Sequence, residues 1–251
     1  MREYEFTAEG TTGGQGPVAT RLVFAEHFDL PEWATPAPPP LPGGLRGAVV
    51  WPTNNKLYLF KGARYYSYNI DGEGAVDPGH PQLIDSKPGS WPGLAEAFPE
   101  GIDTGVVWPG NHFAYFFKGN RYVRYIIGQR VDDNYPQPIA GNWHRLADMF
   151  PEGVDAVFVH GSKAYFFKGS QYVEYNIPPP GEEGVEGLPK PIVGNWPRLA
   201  EHFPNGIDAA ARWPNGKIYF FKGDQYVKYS MDQDQKGVDP GYPKQISAKI
   251  I

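Results

Sequence analysis

Cysteine is absent from the 251-residue sequence, which excludes disulfides, thiol nucleophiles and thiolate metal sites together. No apolar run approaches the ~18 residues of a membrane-spanning helix. Basic residues are outnumbered, and a formal net charge of −5 argues against a non-specific grip on nucleic acid or anionic lipid. Met1–Gly10 has no apolar signal-peptide core, so the expected location is the cytoplasm, or outside the cell without a visible signal peptide. Nucleophile motifs, a metalloprotease helix, a phosphate loop and a dinucleotide fingerprint are all missing, so no enzyme is expected.

Turn-formers and aromatics, by contrast, are plentiful. With 27 prolines, 31 glycines and 15% aromatic residues, the composition suits many short strands around a substantial core. One phrase is written four times: Leu57-Tyr-Leu-Phe-Lys-Gly-Ala-Arg-Tyr-Tyr, Ala114-Tyr-Phe-Phe-Lys-Gly-Asn-Arg-Tyr-Val, Ala164-Tyr-Phe-Phe-Lys-Gly-Ser-Gln-Tyr-Val and Ile218-Tyr-Phe-Phe-Lys-Gly-Asp-Gln-Tyr-Val. Each reads as two aromatic and β-branched strands joined at a Lys-Gly turn, where Gly supplies the positive φ of a tight hairpin. Another Tyr follows in each second strand (Tyr68, Tyr125, Tyr175, Tyr229).

Each unit opens on a small, β-prone run such as Gly153-Val-Asp-Ala-Val and closes on a Pro-x-x-Ile or Pro-x-Ile edge. The first three units add a helix signal: Trp91, Leu94, Ala95 and Phe98 fall at i, i+3, i+4 and i+7, as do Trp143/Leu146/Ala147/Phe150 and Trp196/Leu199/Ala200/Phe203. Ser90, Asn142 and Asn195 precede each Trp as expected N-caps, and a proline follows each Phe. Between the paired tyrosines, Ser67, Arg124, Glu174 and Lys228 are expected at a blade edge or in solvent, with Glu174 near Arg124 or Lys228 of a neighbouring unit.

Four units of about fifty residues with about four strands each predict an all-β fold, a four-bladed β-propeller with short helices at the blade ends; a β-solenoid is the alternative, normally with shorter repeats. Blades are expected at about 45–100, 101–152, 153–205 and 206–251, after an N-terminal extension over residues 1–44. Small residues opening the first strands (Thr104-Gly105, Ala156, Ala209-Ala210) suit the crowding near an axis.

The pattern Gly-[Ile/Val]-Asp, Tyr-Phe-Phe-Lys-Gly-x-x-Tyr-Val-x-Tyr, Pro-x-x-Ile and Trp-x-x-Leu resembles the hemopexin repeat over Leu45–Ile251. That repeat builds four-bladed propellers in hemopexin, matrix metalloproteinase C-terminal domains and plant seed albumins. The resemblance implies a central channel holding calcium, sodium or chloride, with main-chain oxygens of Arg46, Asp103, Asp155 and Asp208 as the cation ring. Ala48, Gly105, Val157 and Ala210 stand where the family has an anion-favouring ring. Two departures matter: the disulfide that usually joins first and last blades cannot form here, and Arg46 stands where the other units have Asp. On the bland reading, the aspartates only tie down a turn.

The family also raises haem, but His27, His80, His112, His144, His160 and His202 lie in no haem motif and read as surface residues. Asp232-x-Asp234-x-x-Gly237 fails the calcium-loop pattern, with Lys236 and Pro243 at ligand positions, and reads as a turn. The expected function is a non-enzymatic binding protein with a structural channel ion and a small ligand (haem, polyamine or sugar). The alternative is a protein–protein interaction module of a toxin or defence assembly.

Thr20–Phe28 aligns with Asn195–Phe203 of the third unit, so residues 20–28 are expected to form a helix on the rim of blade four, with the proline-rich linker leading back to Leu45. This would fasten the last blade to the first without a disulfide. Deleting residues 1–30 is then expected to lower the melting temperature of the whole ring; an unchanged melting temperature refutes this.

Overall fold

Each Lys-Gly phrase folds as an antiparallel hairpin. The computed structural model describes residues 44–70, 76–85, 87, 89–177 and 184–246; the expected helix at 20–28 and nearly all of the proline-rich linker lie outside them. The hairpins are β2 (Lys56–Lys61) with β3 (Arg64–Asn69), β6 (Phe113–Lys118) with β7 (Arg121–Ile126), β10 (Lys163–Lys168) with β11 (Gln171–Asn176), and β14 (Ile218–Lys222) with β15 (Gln225–Ser230). Lys61 pairs with Arg64, leaving a two-residue loop whose Gly62 has φ +52°. Positive φ at the first loop residue matches the right-handed twist of the flanking strands.

An inner strand pairs antiparallel with each hairpin: β1 (Ala48–Trp51), β5 (Thr104–Val107), β9 (Ala156–His160) and β13 (Ala209–Arg212). The outer strands are β4 (Gln82–Leu83), β8 (Gln137–Pro138) and β12 (Gly184–Pro191); in the last sheet β15 carries both β16 (Gly237–Val238) and β17 (Lys244–Gln245). The inner strands touch in a closed cycle, β1 on β5, β5 on β9, β9 on β13 and β13 on β1. The fold is therefore a four-bladed β-propeller.

Between blades lies a wedge filled by aromatic rings. Trp91 is surrounded by Trp51, Tyr58, Phe60 and Tyr65 of its own blade and by Phe116 and Tyr125 of the next, with centroids 5.0 to 5.9 Å away. Trp143 repeats this with Trp108, Tyr115, Phe117 and Tyr122 against Phe166 and Tyr175. Trp196 does so with Phe158, Tyr165, Phe167 and Tyr172 against Phe220 and Tyr229. Most of these contacts are edge-to-face, the arrangement the ring quadrupole favours. The fourth interface is built differently: Leu45, Leu57, Leu59 and Tyr68 of blade one pack on Ala209, Phe221, Tyr226 and Ile246 of blade four. There Trp213 lies on Tyr219 at 4.1 Å.

The helices are shorter than the apolar stripe predicts. They are single turns, α1 (Leu94–Ala97), α2 (Leu146–Met149) and α3 (Leu199–His202), each starting after its Trp. Gly93, Arg145 and Arg198 precede them at φ 82°, 61° and 64°, with no side-chain cap. Ser90, Asn142 and Asn195 are thus not N-caps. They close the preceding turn instead, donating to the carbonyls of Leu83, Pro138 and Pro191 at 3.1, 3.0 and 3.0 Å. Burying the large Trp ring takes the chain out of helical register after its first residues.

Glycines at the blade junctions have a steric cause. A Cβ on Gly101, Gly153 or Gly206 would lie 1.8 to 1.9 Å from the carbonyl oxygen of Gly62, Gly119 or Gly169, the hairpin glycine of the preceding blade. Two backbones therefore touch at each of these three junctions.

Trp143→Ala removes the side chain at the centre of six other aromatic residues, at a site 6% exposed, and the expected loss is about 3–5 kcal/mol. Urea unfolding measures it; a loss under about 1 kcal/mol would contradict the wedge as the main inter-blade contact.

Candidate functional site: the propeller axis

The inner strands begin alike. The amides of Arg46, Asp103, Asp155 and Asp208 donate to Phe60, Phe117, Phe167 and Phe221 carbonyls at 2.7, 2.8, 2.8 and 2.8 Å. In blade two, Thr104 is the register partner of Phe117, so Asp103 and Thr104 both oppose one residue. That is a β-bulge, which leaves the extra residue outside the regular ladder. Arg46 follows the same backbone course as the aspartates and differs in its side chain, which is exposed.

The aspartate carboxylates are committed to the hairpin turn of their own blade. Asp103 accepts from Lys118 Nζ at 2.9 Å and from the Gly119 amide at 2.8 Å. Asp155 accepts from Lys168 and Gly169, both at 2.8 Å, and Asp208 from Lys222 at 2.6 Å and Gly223 at 2.9 Å. In blades two to four the Lys-Gly of the phrase is thereby explained twice, Gly by its φ and Lys by its carboxylate. Among the described residues no cluster of His, Asp and Glu could hold a metal through side chains.

On the axis, the inner strands line an open-sided cavity of about 210 Å³. Ala48, Gly105, Val157 and Ala210 all line it, and Arg212 is the one charged residue of its wall among the described residues. Arg46, Asp103, Asp155 and Asp208 do not line it. Gly105 is sterically required, since a Cβ there would meet the Phe116 ring at 2.5 Å. None of the described histidines lines this cavity. His160 has Nδ1 buried without a hydrogen-bond partner, and burial lowers its pKa from the ordinary value. Asp232 leads into a 3-10 turn at Gln233–Gln235.

A second set of charges, not foreseen from the sequence, sits within each blade. Lys56 Nζ donates to Asp77 at 2.6 Å, and Ser67 Oγ bonds the same carboxylate. In blade two, Phe113 replaces that lysine and Arg124 supplies the cation, bonding Asp132 and lying 4.7 Å over the Phe113 ring. Glu174 accepts from Lys163 at 2.6 Å and Lys190 at 3.0 Å. Asp239 lies 3.4 Å from both Lys217 and Lys228. The variable position therefore pairs inside its own blade, not across to Arg124 or Lys228 as expected for Glu174. Diagonal cross-strand neighbours lie within ~7–8 Å, closer than packed sheets at ~10 Å.

Comparison with known proteins follows the same repeats. The family model described as Hemopexin matches residues 45–94, 102–146, 154–199 and 207–251. Matrix metalloproteinase-19 of Mus musculus is 29% identical over 215 residues, 85% of this chain and 36% of that protein. The chain thus spans about a third or less of the length of the curated relatives it matches. A plant albumin from Cicer arietinum showing hemagglutination has a TM-score of 0.64 at 21% identity, covering 81% of this chain and 94% of that one. A plant lectin with two metal binding sites, also from Cicer arietinum, has a TM-score of 0.63 at 22% identity, covering 81% and 93%. Both likenesses show the fold.

Burial acts to raise the Glu174 pKa, but the hydrogen bonds from Lys163 and Lys190 outweigh it and hold the carboxyl below its ordinary range. A carboxyl lower in the folded than in the unfolded chain adds stability above its unfolded value of ~4.3, lost as pH falls through the folded value. Glu174→Gln is therefore expected to lower the melting temperature at pH 7, with the gap to the native protein closing as pH falls below about 4. A gap that persists undiminished at pH 3 rules this out.

Proposed function

This chain belongs to the hemopexin family, and on that footing we propose that it is a non-enzymatic binding protein whose channel holds a structural ion and whose propeller binds a small ligand. The axial cavity carries this reading: all four inner strands line it, while the recurring carboxylates are bound to lysines and amides. A hard cation takes oxygen ligands, and the residues that would offer them are Arg46, Asp103, Asp155 and Asp208 through their main chain. The bulge at these positions, and the unchanged backbone course at Arg46, support that assignment. Ala48, Gly105, Val157 and Ala210 would face an anion in the cavity they line. A cation held by these main-chain oxygens would tie the four inner strands to one another. The two metal binding sites of the Cicer arietinum lectin are consistent with this role.

Of the ligand classes, haem has least support, because no described histidine lines the axial cavity. Arg212 in that cavity disfavours a polyamine by like-charge repulsion. A neutral sugar keeps the best support, and the Cicer arietinum albumin that shows hemagglutination is compatible with it. A second reading, a protein–protein interaction module, is favoured by Leu188 and Val193, 69% and 67% exposed on the outer edge of blade three.

A ligand of the native state alone stabilises by mass action. Exhaustive treatment with EDTA in sodium-free buffer is expected to lower the melting temperature, and calcium or sodium to restore it. A melting temperature indifferent to EDTA, calcium and sodium overturns the structural-ion reading.

A further inference from the structure

The wedge between blades one and two is not completely filled. A cleft of about 330 Å³ opens there, lined by Trp51, Tyr58 and Trp91 of blade one and Tyr125 of blade two, with Asn54 and Gln129 at its polar side. Tyr58 is the half-exposed ring, while Trp51, Trp91 and Tyr125 are 7%, 4% and 3% exposed. No charged side chain is among its described lining residues. Asn54 donates through Nδ2 to the Tyr58 hydroxyl at 2.8 Å, which orients the half-exposed ring.

The equivalent place between blades three and four differs. Lys236 Nζ lies over the Trp196 ring at 5.7 Å, and His160 replaces the tryptophan equivalent to Trp51. That position therefore carries a cation on its central ring, whereas the cleft at Trp91 is uncharged.

We propose that the cleft between blades one and two is a binding site for a neutral saccharide, one pyranose ring set against Tyr58 and hydrogen-bonded by Asn54 and Gln129. Its chemistry selects such a ligand. Aromatic walls suit the apolar C–H face of a sugar ring, carboxamide groups suit its hydroxyls, and the lack of charge discriminates against phosphates, polyamines and acidic peptides. The volume, at the low end for small-molecule pockets, fits one ring rather than a long oligosaccharide. This assignment rests on the binding-protein reading above and adds to it a place and a ligand class.

The test is saturation-transfer NMR on the full chain with methyl glycosides of glucose, galactose, mannose and N-acetylglucosamine, with spermine and haem titrated in parallel. At least one glycoside is expected to bind, with its ring protons receiving the transfer. Gln129→Ala, at an exposed position that leaves the core intact, is expected to weaken binding severalfold, and Tyr58→Leu about tenfold or more. Native-like melting of the Gln129 variant keeps the comparison valid if the Tyr58 variant misfolds. Glycoside binding that ignores both variants overturns the cleft. Spermine or haem binding without any glycoside binding overturns the cleft but leaves the binding-protein reading standing. Absence of binding by every probe overturns both.

Discussion

Three tryptophans hold the ring together, because blades that diverge from an axis leave a gap that widens outward. Near the axis small residues such as Gly105, Ala156 and Ala209 stand at the gap; further out a large side chain is needed, and Trp91, Trp143 and Trp196 each fill it with six rings around them. Everything else is arranged to deliver that indole. The Pro-x-x-Ile edge brings the chain to the rim, a closed turn aims the Trp inward, and one helical turn returns the chain toward the next inner strand. Glycine at the start of that strand lets it pass against the preceding hairpin without a clash. The interface of blades four and one has Trp213, Tyr226 and Ile246 in this role, so the ring closes there by aliphatic and aromatic packing of a different pattern.

The same economy governs the charges. A lysine is present in each hairpin and an aspartate starts three of the four inner strands, and the structure joins them in those three blades. This commitment ties the hairpin turn to the inner strand. What lines the axial cavity is mostly alanine, glycine and valine, with Phe158 and Arg212 among them. Within the blades, a second carboxylate neutralises whichever cation its own sheet supplies. Where Phe113 takes the lysine's place, Arg124 moves the positive charge one strand outward and lies on the ring that displaced it. Such substitutions keep charge balance local, so a blade can change without its neighbour changing.

Repeat period, hairpins, inner-strand small residues and the buried face of the Trp-Leu-Phe stripe were legible in the chain, because each depends on neighbours within a dozen residues and is written four times over. A Lys-Gly between aromatic runs has few other conformations open to it. Local logic misled where a tertiary demand overrode it. Ser90, Asn142 and Asn195 have the chemistry of N-caps, yet burial of the adjacent indole delays the helix and leaves them to close a turn. Glu174 was expected to reach another blade, but strands of one sheet are nearer than any two blades. By itself, the sequence determined the blade, its number and the residues that start each strand, since these follow from short-range sterics and periodicity. Only the tertiary structure decided what the blades make between them: the axial cavity, the turn-bound aspartates, the in-blade ion pairs and the aromatic cleft. Tyr58 and Tyr125 belong to different repeats, and no local pattern in either signals that the two rings share a wall.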